Sequence, residues 1–155
     1  MKYQNGDYEA LHENPIWRAR ADFIIAAFLG MKEGKNEWEQ LWAERVSPTQ
    51  FRLCCIPFFA KDIALGDEVE VDSNFVVRAV VRPSGNYTFR VWLGGQPESV
   101  RVKVHESLKA SGADMEWSSN NLLALSIASD QAQQLADCLA EHEAAGQLQY
   151  ETGRS

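Results

Sequence analysis

The apolar period of this chain changes once, at Gly94-Gly95-Gln96-Pro97. Before that point short runs of β-branched and aromatic residues alternate with polar ones or run on unbroken. After it, apolar residues also recur at every third and fourth position. A side-chain period of two belongs to strands and one of 3.6 to helices. A strand-rich part is therefore expected first, and a mixed part after it.

The first part divides at its turns. Residues 23–29 make an apolar run ended by Gly30, of the length of a buried strand although Ala26-Ala27 also suit a helix, and residues 30–36 are expected as a polar loop. Residues 37–46 and 51–56 flank Ser47-Pro48-Thr49-Gln50, where Pro presets φ and Ser and Thr bond locally. A hairpin is the expectation there. Glu68-Val69-Glu70-Val71-Asp72 alternates strictly, which places its acids on the wet face. Residues 75–81 and 87–93 follow as strands about the turn at 83–86. About six strands joined by short turns predict a small antiparallel sheet over residues 21–93 that curls on itself or closes as a small barrel.

In the second part Val100, Val104 and Leu108 stand four apart, after Pro97 and before Gly112, which suits one helix face with its start and stop signals. Residues 114–117 and 122–128 are expected as strands. Ser129 or Asp130 then opens a helix whose stripe is Ala132, Leu135, Ala136, Leu139 and Ala140, and which Gly146 stops. Residues 148–151 close the chain as a strand. From Tyr87 the order is strand, helix, strand, strand, helix, strand, a ferredoxin-like split arrangement with two helices on one sheet face. The expected fold class is α+β: a loose N-terminal arm (1–20), a strand-rich lobe (21–93) and a ferredoxin-like half (87–151) in a lobe of residues 94–155, together one compact unit.

Several of these residues carry a resemblance. Glu37, Glu39, Leu41-Trp42-Ala43-Glu44, Phe51-Arg52-Leu53, Ile56-Pro57-Phe58-Phe59, Gly66-Asp67, Val69 and Arg82, Ser84-Gly85, Thr88, Arg90 resemble the domain of unknown function 4265 family. Gly112, Leu122-Leu123-Ala124-Leu125 and the closing helix extend the resemblance to residues 21–151. Asn86-Tyr87 departs from it, where a small residue or His is expected. The resemblance implies the two-part architecture and no settled activity. Small proteins of this kind also resemble immunity partners of bacterial toxins.

Charge narrows the function classes. Fifteen Lys and Arg against 22 Asp and Glu give a net charge of −7, which opposes general nucleic-acid binding and docking on anionic lipid. Residues 95–155 hold 9 acids and 4 bases, so most of the net charge lies after residue 94. The N-terminus lacks a signal-peptide pattern, and the longest apolar run is far short of a bilayer span. Cys54, Cys55 and Cys138 are expected as reduced thiols, and the location as cytoplasmic. His12, His105 and His142 are expected at the surface and share no metal-ligand spacing, so neither a metal nor a cofactor is expected. No serine stands in a nucleophile elbow.

Two site readings follow. An acidic surface made from Glu68, Glu70, Asp72, Asp114, Glu116, Glu141 and Glu143, with Trp17 as an aromatic anchor, would receive a basic protein partner. The expected function is a non-enzymatic binding protein, most concretely an immunity protein masking a cationic toxin such as a nuclease. The alternative is an anion pocket of Arg78, Arg82 and Arg90, binding carboxylate or phosphate through guanidinium forks, or an enzyme built on it. Against it, these arginines could pair with strand acids such as Glu68. Trp38, Trp42, Trp92 and Trp117 are expected in the core.

Overall fold

The structure, a computed structural model, describes residues 7–155. Two sheets stack with helices on one side. The first sheet holds β1 (Tyr8–Ala10), β2 (Phe23–Lys32), β3 (Lys35–Ser47), β4 (Gln50–Leu53), β5 (Glu68–Val71) and β6 (Val77–Arg82). The second holds β7 (Asn86–Trp92), β8 (Asp114–Trp117), β9 (Leu122–Ala128) and β10 (Gln149–Thr152), with α1 (Glu98–Ala110) and α2 (Ala132–Ala144) between strands. No helix among the described residues is long and apolar enough to cross a membrane.

The second sheet runs β10-β7-β9-β8 with all neighbours antiparallel. That is the ferredoxin-like order the sequence pattern predicts. Val104 and Leu108 of α1 and Leu135 and Leu139 of α2 are buried against Phe89, Val91, Leu123 and Leu125. Alternation puts Thr88, Arg90, Ala124, Ser126 and Glu116 on the opposite sheet face. This face is not wet. Ala124 packs with Ile56, Phe58 and Leu65 from the long connection between β4 and β5.

The first sheet is a meander from β2 to β6 that curls around Ile25, Leu41, Phe51, Leu53 and Val69 without closing into a barrel. Its ends meet at one parallel bridge, Ala26 to Val76. The polar loop expected at residues 30–36 is mostly strand. Glu33 and Gly34 both take positive φ (53° and 75°), and the two strands pair right up to them. That two-residue turn matches the twist of the strands it joins.

The N-terminal arm is not loose where it is described; its first six residues lie outside the described ones. β1 pairs parallel to β3, setting Tyr8 against Glu37 and Ala10 against Glu39. Trp17 donates its backbone N–H to Cys54 O at 3.0 Å and packs beside Ile56 and Phe58. A polar segment without apolar period is here held by hydrogen bonds rather than by an apolar stripe. Trp92 and Trp117, expected in the core, are instead exposed by 45% and 42%. Trp92 lies on the helix-free side of the second sheet at the end of β7, whereas Trp117 lies on the helix side at the end of β8, where its ring stacks on His105 of α1 at 6.0 Å between centroids.

Candidate functional site

The densest set of titratable side chains lies between the two sheets. His12 is 3% exposed, Glu39 0% and Glu116 4%. Glu39 stands on the inward face of β3 with Leu41 and Ala43, and Glu116 on the helix-free face of β8. His12 Nε2 lies 2.7 Å from Glu39 Oε2, and Nδ1 lies 2.8 Å from Glu116 Oε1. Its ring stacks on Phe58 at 3.9 Å between centroids. Backbone N–H groups fill the rest of the carboxylates' capacity. Glu39 accepts from Phe58, Phe59 and Ala60 at 2.6–2.9 Å, and Glu116 accepts from Ile56 at 2.5 Å.

Burial works against charge on His12, but its contacts with Cys55, Glu116 and Glu39 outweigh it and raise its pKa. Burial also raises the Cys55 thiol and keeps it neutral, so the direction for His12 rests on the two carboxylates. Glu39 is likewise opposed by burial, yet the His12 contact and the N–H groups of Phe58 and Ala60 hold it below the carboxylate range. An imidazolium between two carboxylates leaves one negative charge over. Arg90, 3% exposed on β7, is attracted to both Glu39 and Glu151, lying 3.8 Å from the latter, and its guanidinium donates to Ala60 O while its Nε has no hydrogen-bond partner among the described residues. A buried charged set of this kind holds only when every member is paired. His12, Glu39 and Glu116, buried and bonded to one another, fasten the arm, both sheets and the connection together. Among the described residues, no group of three or more His, Cys, Asp and Glu is arranged to hold a metal ion.

This network overturns three expectations. His12 is not a surface residue, Glu116 is not free to meet a partner, and Arg90 belongs to the inter-sheet cluster. One signal was present in the sequence: Glu39 alternates in step with Leu41 and Ala43, and an acid on an apolar face requires a partner.

Glu68, Glu70 and Asp72 do not form a free acidic stripe. Strand register sets Glu44 opposite Arg52, Arg52 opposite Glu68 and Glu68 opposite Arg82. Arg52 bridges Glu44 and Glu68 at 2.7 Å each, and Arg82 reaches Glu68 at 3.5 Å. Glu68 is thus buried in a ladder of alternating charge. Asp72 accepts from the N–H of Val76 and Asn74, which lower its pKa, and so shapes the turn before β6. Glu70 is half-buried. Trp17 is partly covered and packs inward. The three arginines do not meet: Arg78 and Arg82 are exposed on β6, and Arg90 is buried in the other sheet.

Asp114, Glu141 and Glu143 remain at the surface. Glu141 belongs to a larger patch that the candidate set missed. Residues 110–153 contain no Lys or Arg. In that stretch Asp130, Asp137, Glu141 and Glu143 are exposed on α2 or just before it. Asp137 and Glu141 stand one turn apart, on one face.

Comparisons with known proteins agree with this fold. A family model described as a domain of unknown function (DUF4265) matches residues 39–150. A solved structure titled "Novel crystal structure of a hypothetical protein from Neisseria gonorrhoeae" superposes with a TM-score of 0.68 at 20% identity, covering 84% of this chain and 93% of that one. At that identity the likeness speaks for the fold alone. No curated protein matches the chain.

Proposed function

We propose that this chain, which belongs to the domain of unknown function 4265 family, is a non-enzymatic binding protein that docks a basic protein partner on the outer face of α2. The observation behind this is that the outer face carries acids and no Lys or Arg. Asp130, just before the helix, and Asp137 and Glu141 on it are exposed, and none of them enters an ion pair among the described residues. Unpaired carboxylates on one side of a molecule attract a cationic surface from a distance and speed its encounter. The binding reading is further supported by the enclosure of His12, Glu39, Glu116 and Cys55: the side chains best equipped for acid–base work are all engaged in holding the fold. The most concrete form of the proposal, an immunity protein covering the cationic active site of a toxin such as a nuclease, rests on this charge.

The test is binding of the full chain to the proteins encoded beside its gene, measured at low and high salt. A basic partner is expected whose affinity falls with salt, and which D137K/E141K weakens by about tenfold or more. Binding indifferent both to salt and to D137K/E141K, or no basic partner at all, overturns the reading.

A further inference from the structure

β6 is the open rim of the curled sheet. It pairs with β5 along one edge. On the other, the bridge from Ala26 to Val76 joins it to β2 before the two strands part. Beyond that bridge a cavity of about 630 Å³ opens between Phe28 and Leu29 of β2 and Arg78 and Val80 of β6. A second cavity of about 300 Å³ reaches Tyr87, Thr88 and Arg154. Both are lined by Asp62, Ile63 and Val80, so they adjoin as one groove along the free edge of β6.

Three features state what this groove accepts. An unpaired strand edge presents a row of backbone N–H and C=O groups, which an extended polypeptide satisfies. The Thr88 hydroxyl, buried beside the second cavity, has no hydrogen-bond partner among the described residues. The third feature is charge. Lys61, Arg78 and Arg154 line the groove; none of them enters an ion pair among the described residues, although Arg154 stacks over the Tyr87 ring and, like Lys61, is attracted to Asp62. The acids there are already engaged: Asp62 accepts from the N–H and hydroxyl of Ser155, and Asp67 accepts from the N–H of Ala64 and Ser84. In a chain of net charge −7, this groove offers cations. A second copy of β6 fits poorly, because it would bring Arg78 and Arg82 against like charges.

We propose that the groove takes an extended, acidic segment of a partner protein, added as a strand to the free edge of β6. This surface is separate from α2 and does not depend on the reading given to it. The experiment selects binders to the full chain from a display library of random linear peptides of about eight residues, a strand's length. Acidic sequences with alternating β-branched residues are expected. Bound, they should slow hydrogen exchange in residues 77–82. K61E/R78E is expected to weaken them about tenfold or more and to shift the selection toward basic peptides, while D137K/E141K leaves them unchanged. The proposal is overturned if no peptide is selected, if those selected are basic, or if protection falls outside β6. Protection of β6 that appears without peptide and grows with protein concentration would assign the edge to a second copy, and also overturns it.

Discussion

Glu39 and Glu116 grip opposite nitrogens of one buried imidazole, although one stands in each sheet. The contact spans 104 residues of sequence between His12 and Glu116, and it supplies acceptors for the N–H groups of Ile56, Phe58, Phe59 and Ala60. His12→Ala leaves two buried carboxylates facing each other. It is expected to cost about 3–5 kcal/mol, read from urea unfolding. Glu39→Ala should cost a similar amount, because it also orphans three backbone donors. A loss below about 1 kcal/mol for both, the range of an exposed pair, would show that the network does not fasten the sheets.

The same network sets a pH profile. Glu39 is depressed below its usual 4.5, so its contribution is complete above that value and is lost as pH falls through the depressed pKa. His12 is raised above its usual 6.5, so its contribution is complete below 6.5 and drains as pH rises toward its raised pKa. Unfolding free energy should be greatest between these usual values, 4.5 and 6.5, and decline on both sides. The alkaline decline should approach about 1.4 kcal/mol per pH unit, one proton's linkage. Urea titrations across pH measure it; stability that climbs from neutral pH into the alkaline range contradicts the assignment.

The cysteines should separate by reactivity. Burial pushes Cys54 up to about 11 and raises Cys55 as well, whereas Cys138 is half-buried between the helices, near Ser107. A thiol-specific disulfide reagent should modify Cys138 in the folded protein, and all three cysteines in denaturant. Rapid modification of Cys55 in the native state would mean that the inter-sheet cluster opens.

Gly66 lies where the arm meets the first sheet. Its φ is +84°, and a Cβ there would sit 3.1 Å from Ser84 Cβ and 3.2 Å from the Trp17 indole. Gly66→Ala therefore combines backbone strain with a steric push on Trp17. A loss of about 1–3 kcal/mol is expected, with a shift in Trp17 fluorescence relative to a Trp17→Phe control. A neutral result would show that Trp17 is not seated against this turn.

The ferredoxin-like half was legible because each of its signals is local. Val104 with Leu108, and Leu135 with Leu139, carry the helical period. Pro97, Gly112 and Gly146 mark the ends, and Leu122 to Ile127 has the length of a buried strand. The hairpin about Pro48 was legible for the same reason. The arm was not, because what orders it lies far away in sequence: β1 depends on β3, and His12 on Glu116. The acids of β5 were misplaced for a related reason. Alternation marks Glu68 and Glu70 as sharing a face, but whether that face is wet depends on which strands flank it. Here those strands bring Arg52 and Arg82. Likewise, Arg78 and Arg82 four apart on one strand, with Arg90 across the next turn, suggested a pocket, and only the division into two sheets separates Arg90 from Arg78.

The threading of the N-terminal arm between the sheets has a consequence for how the chain matures on the ribosome. β1 can pair as soon as β3 has emerged, but the second carboxylate that His12 needs is synthesised more than a hundred residues after it. Until β8 appears, a histidine and an acid destined for the interior remain in contact with water. The two halves therefore cannot be completed one after the other. The first sheet waits in an unfinished state for the second, and the final step of folding is expected to be cooperative and dominated by distant contacts.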